Sequence, residues 1–339
     1  MPFKKVFMRI GYLGAGAWGF CLANLLSEKG HEVILWTGNQ SLVEVLKRGQ
    51  AHPKLTDHRA EENLVLTTDL TDAVTNVDMV IESVTSKGLR QVLTLINEIG
   101  VELPPFVITS KGIEQGTGLL MCDLALEVLG DRFYERIGCL SGPSIAGEVA
   151  KKFPTSVVAA SYNHELAETI CQAFSTPYFS VSPCSDLRGA CFGGAMKNII
   201  AIACAISDGI GYGENTKAAL LTRGLSEIRQ LGRALGCRGD TLSGLSGLGD
   251  LTVTCLSKLS RNYIFGQLLA SGMTPEKAYE KVGMVVEGAN TCLSAIELSK
   301  KHEIMLPITE AIYSILKENV VPREAIDRLL MNPIPQAFL

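Results

Sequence analysis

The chain has 339 residues, which is enough for about two domains that each bury an apolar core. Hydrophobic residues make up 47% and charged residues 19%, a composition that excludes a disordered or low-complexity protein. The net charge of −4 is small for this length and gives no electrostatic reason to expect nucleic acid or an anionic membrane surface as a partner.

Short β-rich runs alternate with helical patterns in the first half of the chain. Strand–helix alternation at this spacing predicts a parallel sheet that is covered by helices on both faces. The predicted strands are 9–13, 31–36, 64–66, 79–81, 106–109, 137–140 and 156–160, and the predicted helices include one that ends at 29, 89–99 and 117–129.

Long helical patterns dominate after about residue 186. They are predicted at 188–207, 217–235, 260–270, 275–281, 289–301, 309–317 and 323–331. The change of texture places a domain boundary near residue 187, between a first domain over 1–187 and a second over 188–339.

The ten cysteines lie mostly in apolar stretches, without a CxxC pair or a metal-ligand pattern with histidine. This usage predicts reduced, buried cysteines in a cytoplasmic protein and no metal site. The stretch 189–207 comes nearest to a membrane helix, but Lys197 lies near its centre. We therefore expect no membrane span.

A glycine motif follows the first predicted strand. Gly14, Gly16 and Gly19 fit the pattern G-x-G-x-x-G at the start of a helix whose first residues include Ala17 and Trp18. In dinucleotide-binding folds, the first glycine allows a tight turn. The second lets the backbone approach the pyrophosphate, and the third lets helix and strand pack closely. The alternative is a glycine-rich turn without a ligand.

This placement predicts an α/β protein with a Rossmann-type, doubly wound dinucleotide-binding domain over 1–187. An all-α substrate and catalytic domain over 188–339 would follow it. The second strand ends in Trp36-Thr37-Gly38-Asn39, where an acid would hold a ribose hydroxyl and an arginine would hold a 2′-phosphate. Neither is present, so the cofactor is NAD or NADP.

Lys197 is the one charged residue between Arg188 and Asp208, in an otherwise apolar helix. Gly193, Gly194 and Ala201 are its neighbours on the same face, so another segment or a ligand can approach the ammonium. Burial lowers the pKa of an ammonium, which suits a proton donor or acceptor. A structural ion pair and a lysine that reaches the surface are the alternatives.

Other polar clusters are candidates for the same site. A glycine-rich segment leads to Asp250, and Ser260-Arg261-Asn262 at a helix start suits a phosphate oxyanion. Lys111 follows a strand end, at the edge of a parallel sheet where ligands bind. Taken singly, each such cluster is more often an ordinary cap, turn or solvated loop than part of a site.

Together these motifs give a family resemblance. The chain resembles NAD(P)-dependent glycerol-3-phosphate dehydrogenase of the bacterial type over nearly its whole length. The segments that carry the resemblance are 14–19 (GAGAWG), 109–114 (TSKGIE), 140–144 (LSGPS), 193–198 (GGAMKN), 207–211 (SDGIG), 247–250 (GLGD), 260–262 (SRN) and 285–288 (VVEG).

The resemblance implies an active site between the two domains and a reversible hydride transfer. NAD(P)H and dihydroxyacetone phosphate would give sn-glycerol 3-phosphate, the backbone of glycerophospholipids. Lys197 would donate the proton in reduction and accept it in oxidation. Lys111 would contact the substrate near its reacting oxygen, and Asp250 and Thr254 would position the lysines. Hydride arriving at a ketone carbon leaves charge on the oxygen, which an ammonium stabilises and protonates.

The resemblance also implies binding residues. The substrate would contact Lys111, Gly142, Ser144, Lys197, Asp250, Ser260, Arg261 and Asn262, with Arg261 chiefly on the phosphate. The cofactor would contact Gly14, Gly16, Ala17, Trp18, Gly19, Lys111, Ala146, Arg261, Val285 and Glu287. A homodimer through the helical half would be the assembly.

Two positions depart from the family pattern. Glu82 and Thr85 stand where the family has an apolar strand ending in Val-Pro-Ser, so the turn that faces the cofactor is expected to differ in shape. The family's bacterial members also often carry a basic residue soon after the position of Trp36, and this chain does not.

Two alternative functions remain. A β-hydroxyacid or ketopantoate-type reductase also combines a Rossmann half, a helical half and a lysine, but a phosphate-binding Ser260-Arg261-Asn262 has no use there. A non-catalytic dinucleotide-binding sensor has no need of Lys111, Lys197 and Asp250 together.

Overall fold

A computed structural model describes residues 7–258 and 260–331. Within these residues, the first part of the chain forms a single eight-stranded sheet. Its strands are β1 (Arg9–Leu13), β2 (Glu32–Trp36), β3 (Leu64–Thr67), β4 (Met79–Glu82), β5 (Phe106–Ile108), β6 (Ile137–Ser141), β7 (Thr155–Ser161) and β8 (Phe179–Cys184).

Helices connect the strands and form most of the remaining chain. Those of the first part are α1 (Ala17–Glu28), α2 (Gln40–Lys47), α3 (Leu70–Val74), α4 (Leu89–Ile99), α5 (Met121–Leu129), α6 (Ala146–Ala150) and α7 (His164–Phe174). Those that follow are α8 (Leu187–Gly209), α9 (Glu214–Ala234), α10 (Gly239–Ser243), α11 (Asp250–Leu256), α12 (Arg261–Ala270), α13 (Pro275–Val282), α14 (Glu287–Lys301), α15 (Pro307–Lys317) and α16 (Pro322–Met331).

The strand order is β3-β2-β1-β4-β5-β6-β7-β8 across the described sheet. The expected doubly wound α/β class is confirmed, since β3 to β6 follow the order of a dinucleotide-binding sheet and pair in parallel. The order reverses between β1 and β4. Ligands of open α/β sheets bind at such a switch point, beyond the carboxyl ends of the strands.

The predicted parallel sheet has one exception, because β6 and β7 are antiparallel. A parallel pair needs a long crossover connection, and the connection here holds only the five-residue helix α6. Strand β8 was not predicted, although it alternates as a half-buried strand does, with Phe179 and Val181 buried and Ser180 and Ser182 exposed.

The chain divides into two compact units. Unit 1 comprises the described residues up to Ser110 together with Met121–Leu187, and it contains the whole sheet. Unit 2 comprises Lys111–Leu120 and the described residues from Arg188 onward, which are helical apart from loops and an isolated bridge between Ile113 and Leu120. Lys111 and the long helices therefore belong to the same unit.

Helix α8 is the central element of unit 2. With 23 residues, the helix is long and apolar enough to cross a membrane. Its most apolar stretch is wholly buried in this fold, as in the core helix of a globular protein. Gly224 of α9 and Gly266 of α12 face it closely, since a Cβ at either glycine would lie 2.6 Å from an α8 side-chain carbon. Close packing on several sides explains why the helix is apolar all round.

Candidate active site

The glycine loop of unit 1 adopts a conformation that requires glycine. Gly14 has φ of +101°, and a Cβ there would lie 2.8 Å from the Ser83 carbonyl oxygen. A Cβ at Gly19 would lie 1.9 Å from the Gly14 carbonyl oxygen, whereas one at Gly16 would meet open space among the described residues. The loop is thus closed toward β4 and open on the Gly16 side, as a pyrophosphate requires.

Helix α1 presents its N-terminus at the open side of the loop. Gly16 is the N-cap residue of α1. Ala17, Trp18 and Gly19 follow it in the first turn, which carries no acidic side chain. Backbone N–H groups and the positive end of the helix dipole therefore face the same space, an arrangement that suits an anion. The cysteine thiol of Cys21 donates to the carbonyl oxygen of Ala146 at 3.5 Å, which places the start of α6 beside α1.

Two other predicted binding residues lie in the turn after β6. Gly142 has φ of +149°, and a Cβ there would lie 2.9 Å from the Cα of Val157. The hydroxyl of Ser144 donates to the carbonyl oxygen of Gly142 at 3.0 Å. This turn follows a parallel strand at its carboxyl end, the edge that the glycine loop also occupies.

The turn after β2 holds no charged side chain in the structure. The side chain of Asn39 caps α2 by accepting from the Leu42 N–H at 3.1 Å, and the Asn39 N–H donates to the Thr37 hydroxyl at 3.3 Å. The indole N–H of Trp36 donates to the carbonyl oxygen of Thr68 at 3.0 Å. These groups hold the turn in shape, and none of them carries a charge that would select between NAD and NADP.

In unit 2, the predicted catalytic side chains meet in one buried cluster. The Asp250 carboxylate binds the Lys111 ammonium through Oδ2 at 2.5 Å and the Lys197 ammonium through Oδ1 at 2.6 Å. The Lys197 ammonium also donates to the Thr254 hydroxyl at 2.7 Å, and that hydroxyl donates to the Asp250 carbonyl oxygen at 2.6 Å. One carboxylate thus holds two ammonium groups from distant parts of the chain.

The bare helix face around Lys197 allows this cluster to form. A Cβ at Gly193 would lie 2.6 Å from the carbonyl oxygen of Ser246, which belongs to a π-helical turn over Leu245–Gly249 that leads into α11. A Cβ at Gly247 would lie 1.9 Å from the carbonyl oxygen of Leu242. Gly193 therefore lets the π-turn approach α8, and Gly247 lets the same turn pack against α10, which together bring Asp250 to Lys197. A π-turn often marks a functional site.

Burial makes Lys197 a group that titrates near physiological pH. Its side chain is 9% exposed, against 19% for Lys111 and 1% for Asp250. Burial, together with a smaller effect of the neighbouring Lys111 charge, lowers the pKa of Lys197 to about 8, although the Asp250 carboxylate acts in the opposite direction. Desolvation prevails over the ion pair here, so the ammonium can lose its proton without leaving its partners.

The start of α12 lies beside this cluster. The side-chain N–H of Asn262 donates to the side-chain oxygen of Asn198 at 2.9 Å, and the Gly288 N–H donates to the side-chain oxygen of Asn262 at 3.0 Å. Asn198 directly follows Lys197 on α8. Asn262 therefore ties the start of α12 to the lysine helix and to the first turn of α14.

Arg261 and Ser260 flank that tether. Arg261 is exposed, and its guanidinium donates to the carbonyl oxygen of Val285 at 3.0 Å. Ser260 is the N-cap residue of α12, without a side-chain cap hydrogen bond among the described residues. The structure thus brings Arg261, Val285 and Glu287, the last of which begins α14, into one neighbourhood.

Sequence reasoning missed Asn198 and Gly288 as contributors to this neighbourhood. A Cβ at Gly288 would lie 2.4 Å from the carbonyl oxygen of Asn198, so only glycine lets α14 approach α8 there. The polar Asn198 beside the lone lysine of an apolar helix was the available signal. Among the described residues, no group of three or more histidine, cysteine, aspartate or glutamate side chains could hold a metal ion.

Comparison with known proteins identifies the family. The family model described as "NAD-dependent glycerol-3-phosphate dehydrogenase N-terminus" matches residues 9–167. The model described as "NAD-dependent glycerol-3-phosphate dehydrogenase C-terminus" matches residues 186–327. A Protochlamydia amoebophila protein named glycerol-3-phosphate dehydrogenase [NAD(P)+] is 51% identical over 98% of this chain and 99% of its own length. The chain belongs to the NAD-dependent glycerol-3-phosphate dehydrogenase family.

Two further relatives agree with this assignment. A Chlamydia pneumoniae protein of the same name is 50% identical over 97% of this chain and 99% of its own length. The crystal structure of glycerol-3-phosphate dehydrogenase from Coxiella burnetii superposes with a TM-score of 0.91 at 33% identity, and the match covers 96% of this chain and 99% of that one. The resemblance stated from the sequence motifs is thereby confirmed.

Proposed function

We propose that this chain is an oxidoreductase that transfers a hydride reversibly between NAD(P)H and dihydroxyacetone phosphate to give sn-glycerol 3-phosphate. The product supplies the backbone of glycerophospholipids. The observation that carries the proposal is the buried Lys111–Asp250–Lys197–Thr254 cluster in a chain of this family. An ammonium with a lowered pKa, held by a carboxylate and a hydroxyl, is suited to proton transfer at a ketone oxygen.

The residues of unit 1 fit a dinucleotide. Gly14 and Gly19 fix the loop, Gly16 leaves room for the pyrophosphate, and the α1 N-terminus binds its charge. Ala146, beside α1, extends this surface. We assign Lys111, Arg261, Val285 and Glu287 of unit 2 to the same cofactor. When bound, the reduced nicotinamide supplies the hydride that the reaction needs.

Lys197 moves the proton. During reduction the carbonyl carbon gains a hydride and its oxygen becomes negative, so a nearby ammonium stabilises that charge and then donates its proton. The balance is one ketone, one hydride and one proton to one secondary alcohol. During oxidation the neutral amine of Lys197 accepts the hydroxyl proton. A pKa of about 8 makes both forms accessible near neutral pH.

Asp250, Thr254 and Lys111 prepare that proton transfer. Asp250 offsets part of the desolvation of two ammonium groups, and Thr254 accepts one of the Lys197 hydrogen bonds, which orients the remaining N–H bonds. We assign Lys111 to the substrate near its reacting oxygen. Two ammonium groups on one carboxylate leave a net positive charge in the cluster, which suits a substrate that develops an oxyanion.

Arg261 is assigned to the phosphate of the substrate. Its exposed guanidinium offers paired N–H donors at the start of a helix, a geometry that suits a phosphate. Ser260 and Asn262 are assigned beside it, since a carboxamide that donates one N–H to Asn198 keeps a second N–H for the phosphate. Gly142 and Ser144 of unit 1 complete the proposed substrate contacts.

The two alternatives explain less of the molecule. A reductase of unphosphorylated hydroxyacids leaves Arg261 without a purpose. A non-catalytic sensor leaves unexplained why two ammonium groups are desolvated around Asp250 at a cost in folding free energy. Neither alternative accounts for family membership over both halves of the chain.

Location and assembly are part of the same proposal. The cysteines of the described residues are free thiols, mostly buried, which supports a reducing compartment such as the cytoplasm. A homodimer through the helical half is proposed from the family resemblance. Light scattering that gives the mass of a single chain at micromolar concentration would rule the homodimer out.

The test is substrate-dependent cofactor oxidation by the purified protein. NADH or NADPH should be oxidised when dihydroxyacetone phosphate is added and not when unphosphorylated dihydroxyacetone or ketopantoate is added. Running both cofactors in parallel also determines the preference that the neutral turn after Trp36 leaves open. The proposed function would be contradicted if only ketopantoate supported oxidation of the cofactor. It would also be contradicted if none of the three compounds did.

A further inference from the structure

Glu82 is an acidic residue in the interior of unit 1, at the end of β4. Its side chain is fully buried, and its backbone pairs with Leu13 of β1 on one side and Ile108 of β5 on the other. This position is the switch point of the sheet, directly beside the glycine loop that follows β1. A carboxyl group buried there is costly, so its contacts indicate what it does.

Donors surround the carboxylate of Glu82. Its Oε1 accepts from the Ser110 hydroxyl at 2.7 Å, the Ser110 N–H at 3.1 Å and the Thr109 N–H at 3.2 Å. Its Oε2 accepts from the Val84 N–H at 3.0 Å. Each partner is a hydrogen-bond donor, which suits an ionised carboxylate that can only accept. The group thus binds the turn after β4 to the end of β5.

The turn that Glu82 holds supports the glycine loop. A Cβ at Gly14 would lie 2.8 Å from the Ser83 carbonyl oxygen and 3.0 Å from the Val84 nitrogen, and a Cβ at Gly19 would lie 3.0 Å from the Ser83 Cβ. The Ser83 hydroxyl shares hydrogen bonds with the Tyr12 hydroxyl at 2.8 Å and the Thr109 hydroxyl at 2.5 Å. The loop conformation therefore depends on where Ser83 and Val84 lie.

We propose that Glu82 is a positioning residue of the cofactor site, whose ionised carboxylate holds the Ser83–Val84 turn against the glycine loop and thereby sets dinucleotide affinity. The inference rests on the proposed function in that it takes NAD(P) as the ligand of this loop. Glu82 is not assigned a contact with the cofactor, since it acts through Val84 and Ser83.

Protonation of Glu82 should weaken this support near neutral pH. Burial raises the pKa of Glu82 to about 7, against the opposing effect of the hydrogen bonds from Ser110, Val84 and Thr109. Tyr12 faces it from β1 and stays neutral, because burial raises the pKa of that phenol far above its usual range. Thr109 and Ser110 of the β5 side present uncharged groups. Below pH 7 the carboxyl gains a proton and loses an acceptor position, so a donor of the turn is released.

The sign of the pH effect separates positioning from two other roles. Positioning predicts tighter cofactor binding as pH rises through 7. Direct repulsion between the carboxylate and the pyrophosphate predicts weaker binding over the same range. If Glu82 has a merely structural role, any pH dependence of cofactor binding should follow the pH dependence of folding stability. The raised pKa of Glu82 favours the folded state below its usual value of 4.5, and this contribution is lost as pH rises to about 7.

Glu227 provides a matched control. It is also buried, its pKa is raised to about 8 by burial, and it accepts from the Thr309 hydroxyl at 2.9 Å and the Thr309 N–H at 3.2 Å. It lies on α9 in unit 2, so Glu227→Gln disturbs a comparable buried carboxyl without touching the glycine loop. Both tryptophans, Trp18 and Trp36, lie next to the loop, so quenching of their fluorescence should report cofactor binding.

The experiment measures the Kd of NADH and NADPH between pH 6 and 8 for the full-length chain. In the wild type, Kd should fall about fivefold over this range; Glu82→Gln should raise Kd about tenfold at pH 8 and flatten the profile. Glu227→Gln should keep the wild-type Kd and slope. Ser110→Ala keeps the carboxylate but removes its hydroxyl partner, so the midpoint of the profile should move to higher pH.

Opposite results would overturn the proposal. A wild-type Kd that stays constant or rises between pH 6 and 8 would contradict it. A Glu82→Gln profile that matches the wild-type profile would contradict it as well. If Glu82→Gln does not fold, the proposal is tested by the pH dependence of the wild-type Kd and by the midpoint of the Ser110→Ala profile. Turnover of dihydroxyacetone phosphate with a flat Kd profile rejects this inference alone, whereas pH-dependent cofactor binding without turnover rejects the proposed function alone.

Discussion

The glycine loop of unit 1 and the ammonium cluster of unit 2 are specified in different ways. The loop is made by residues within one short segment, and backbone conformation at Gly14 and close approach at Gly19 determine it. The cluster is made by side chains that lie far apart along the chain, since 139 residues separate Lys111 from Asp250 and 53 separate Lys197 from Asp250.

The difference also concerns what each region can discriminate. A glycine loop at a helix N-terminus recognises phosphate groups that every dinucleotide carries, so it identifies a cofactor class and little more. The cluster holds a buried lysine beside a helix start that carries Arg261, and in the proposed function these groups select a phosphorylated carbonyl compound. The two regions should therefore fail separately when they are altered.

The largest effect is expected from Lys197→Met. The substitution keeps the length and apolar stem of the side chain but removes the proton donor, so kcat should fall about a thousandfold. The Kd of NADH should stay within about twofold, because the glycine loop is not altered. Stopped-flow kinetics and tryptophan quenching measure the two quantities on the same sample.

Lys217→Met is the matched control for that substitution. Lys217 also lies in unit 2, with an 11% exposed side chain whose ammonium binds Asp208 at 2.8 Å. Its replacement should change folding stability and leave kcat within about threefold. Equal losses of kcat in both variants would mean that Lys197 serves stability rather than proton transfer.

Asp250→Asn should have the next largest effect, a loss of about a hundredfold in kcat. It leaves the buried Lys197 ammonium and the half-buried Lys111 ammonium without their carboxylate, which should also cost about 3–5 kcal/mol of folding free energy. Because the Asp250 charge raises the pKa of Lys197, its removal should move the alkaline loss of reduction to lower pH. Asp240→Asn, at an exposed acid of α10, should change neither the rate nor the profile.

Gly14→Ala addresses the other region. The added Cβ meets the Ser83 carbonyl oxygen in a left-handed conformation, so the loop must shift and the Kd of NADH should rise about 30-fold. At saturating cofactor, kcat should fall much less. Gly147→Ala is the control, since its Cβ meets open space within the described residues. A loss of kcat without a change in Kd would mean that the two regions do not fail separately.

Arg261→Ala should have the smallest effect of the set, and on a different constant. The KM for dihydroxyacetone phosphate should rise about tenfold while kcat changes less than about threefold, since the phosphate is remote from the reacting carbon. Arg261→Lys keeps the charge and should lie between. Arg233→Ala, at an exposed arginine of α9, should leave KM unchanged. An unchanged KM in Arg261→Ala would remove Arg261 from the phosphate site.

Local patterns in the sequence were sufficient to predict the loop and most of the fold. The period-two and helical patterns place β1, α1 and α8 within a few residues, because short-range spacing determines them. The reversal between β6 and β7 was not predictable in this way, since the length and path of a connection determine strand direction and periodicity does not.

The cluster was predictable only in part. Lys197 is conspicuous because it is a charge in an apolar helix, and Gly193 indicated that something approaches it. The pairing of Asp250 with both lysines and the Asn198–Asn262 link depend on contacts between distant segments, which no local pattern specifies. The resemblance to a family supplied those assignments, and the roles of the residues stay predictions.

The central claim is that the buried Lys197 carries the proton, and the pH dependence of kcat/KM in both directions tests it most directly on the unaltered chain. The free-enzyme pKa governs this constant. With a pKa of about 8, reduction of dihydroxyacetone phosphate should decline above pH 8, and oxidation of sn-glycerol 3-phosphate should rise through the same pH. Mirror-image profiles that share one midpoint are the expected result. Profiles that are flat from pH 7 to pH 9.5, or that move in the same direction, would contradict it.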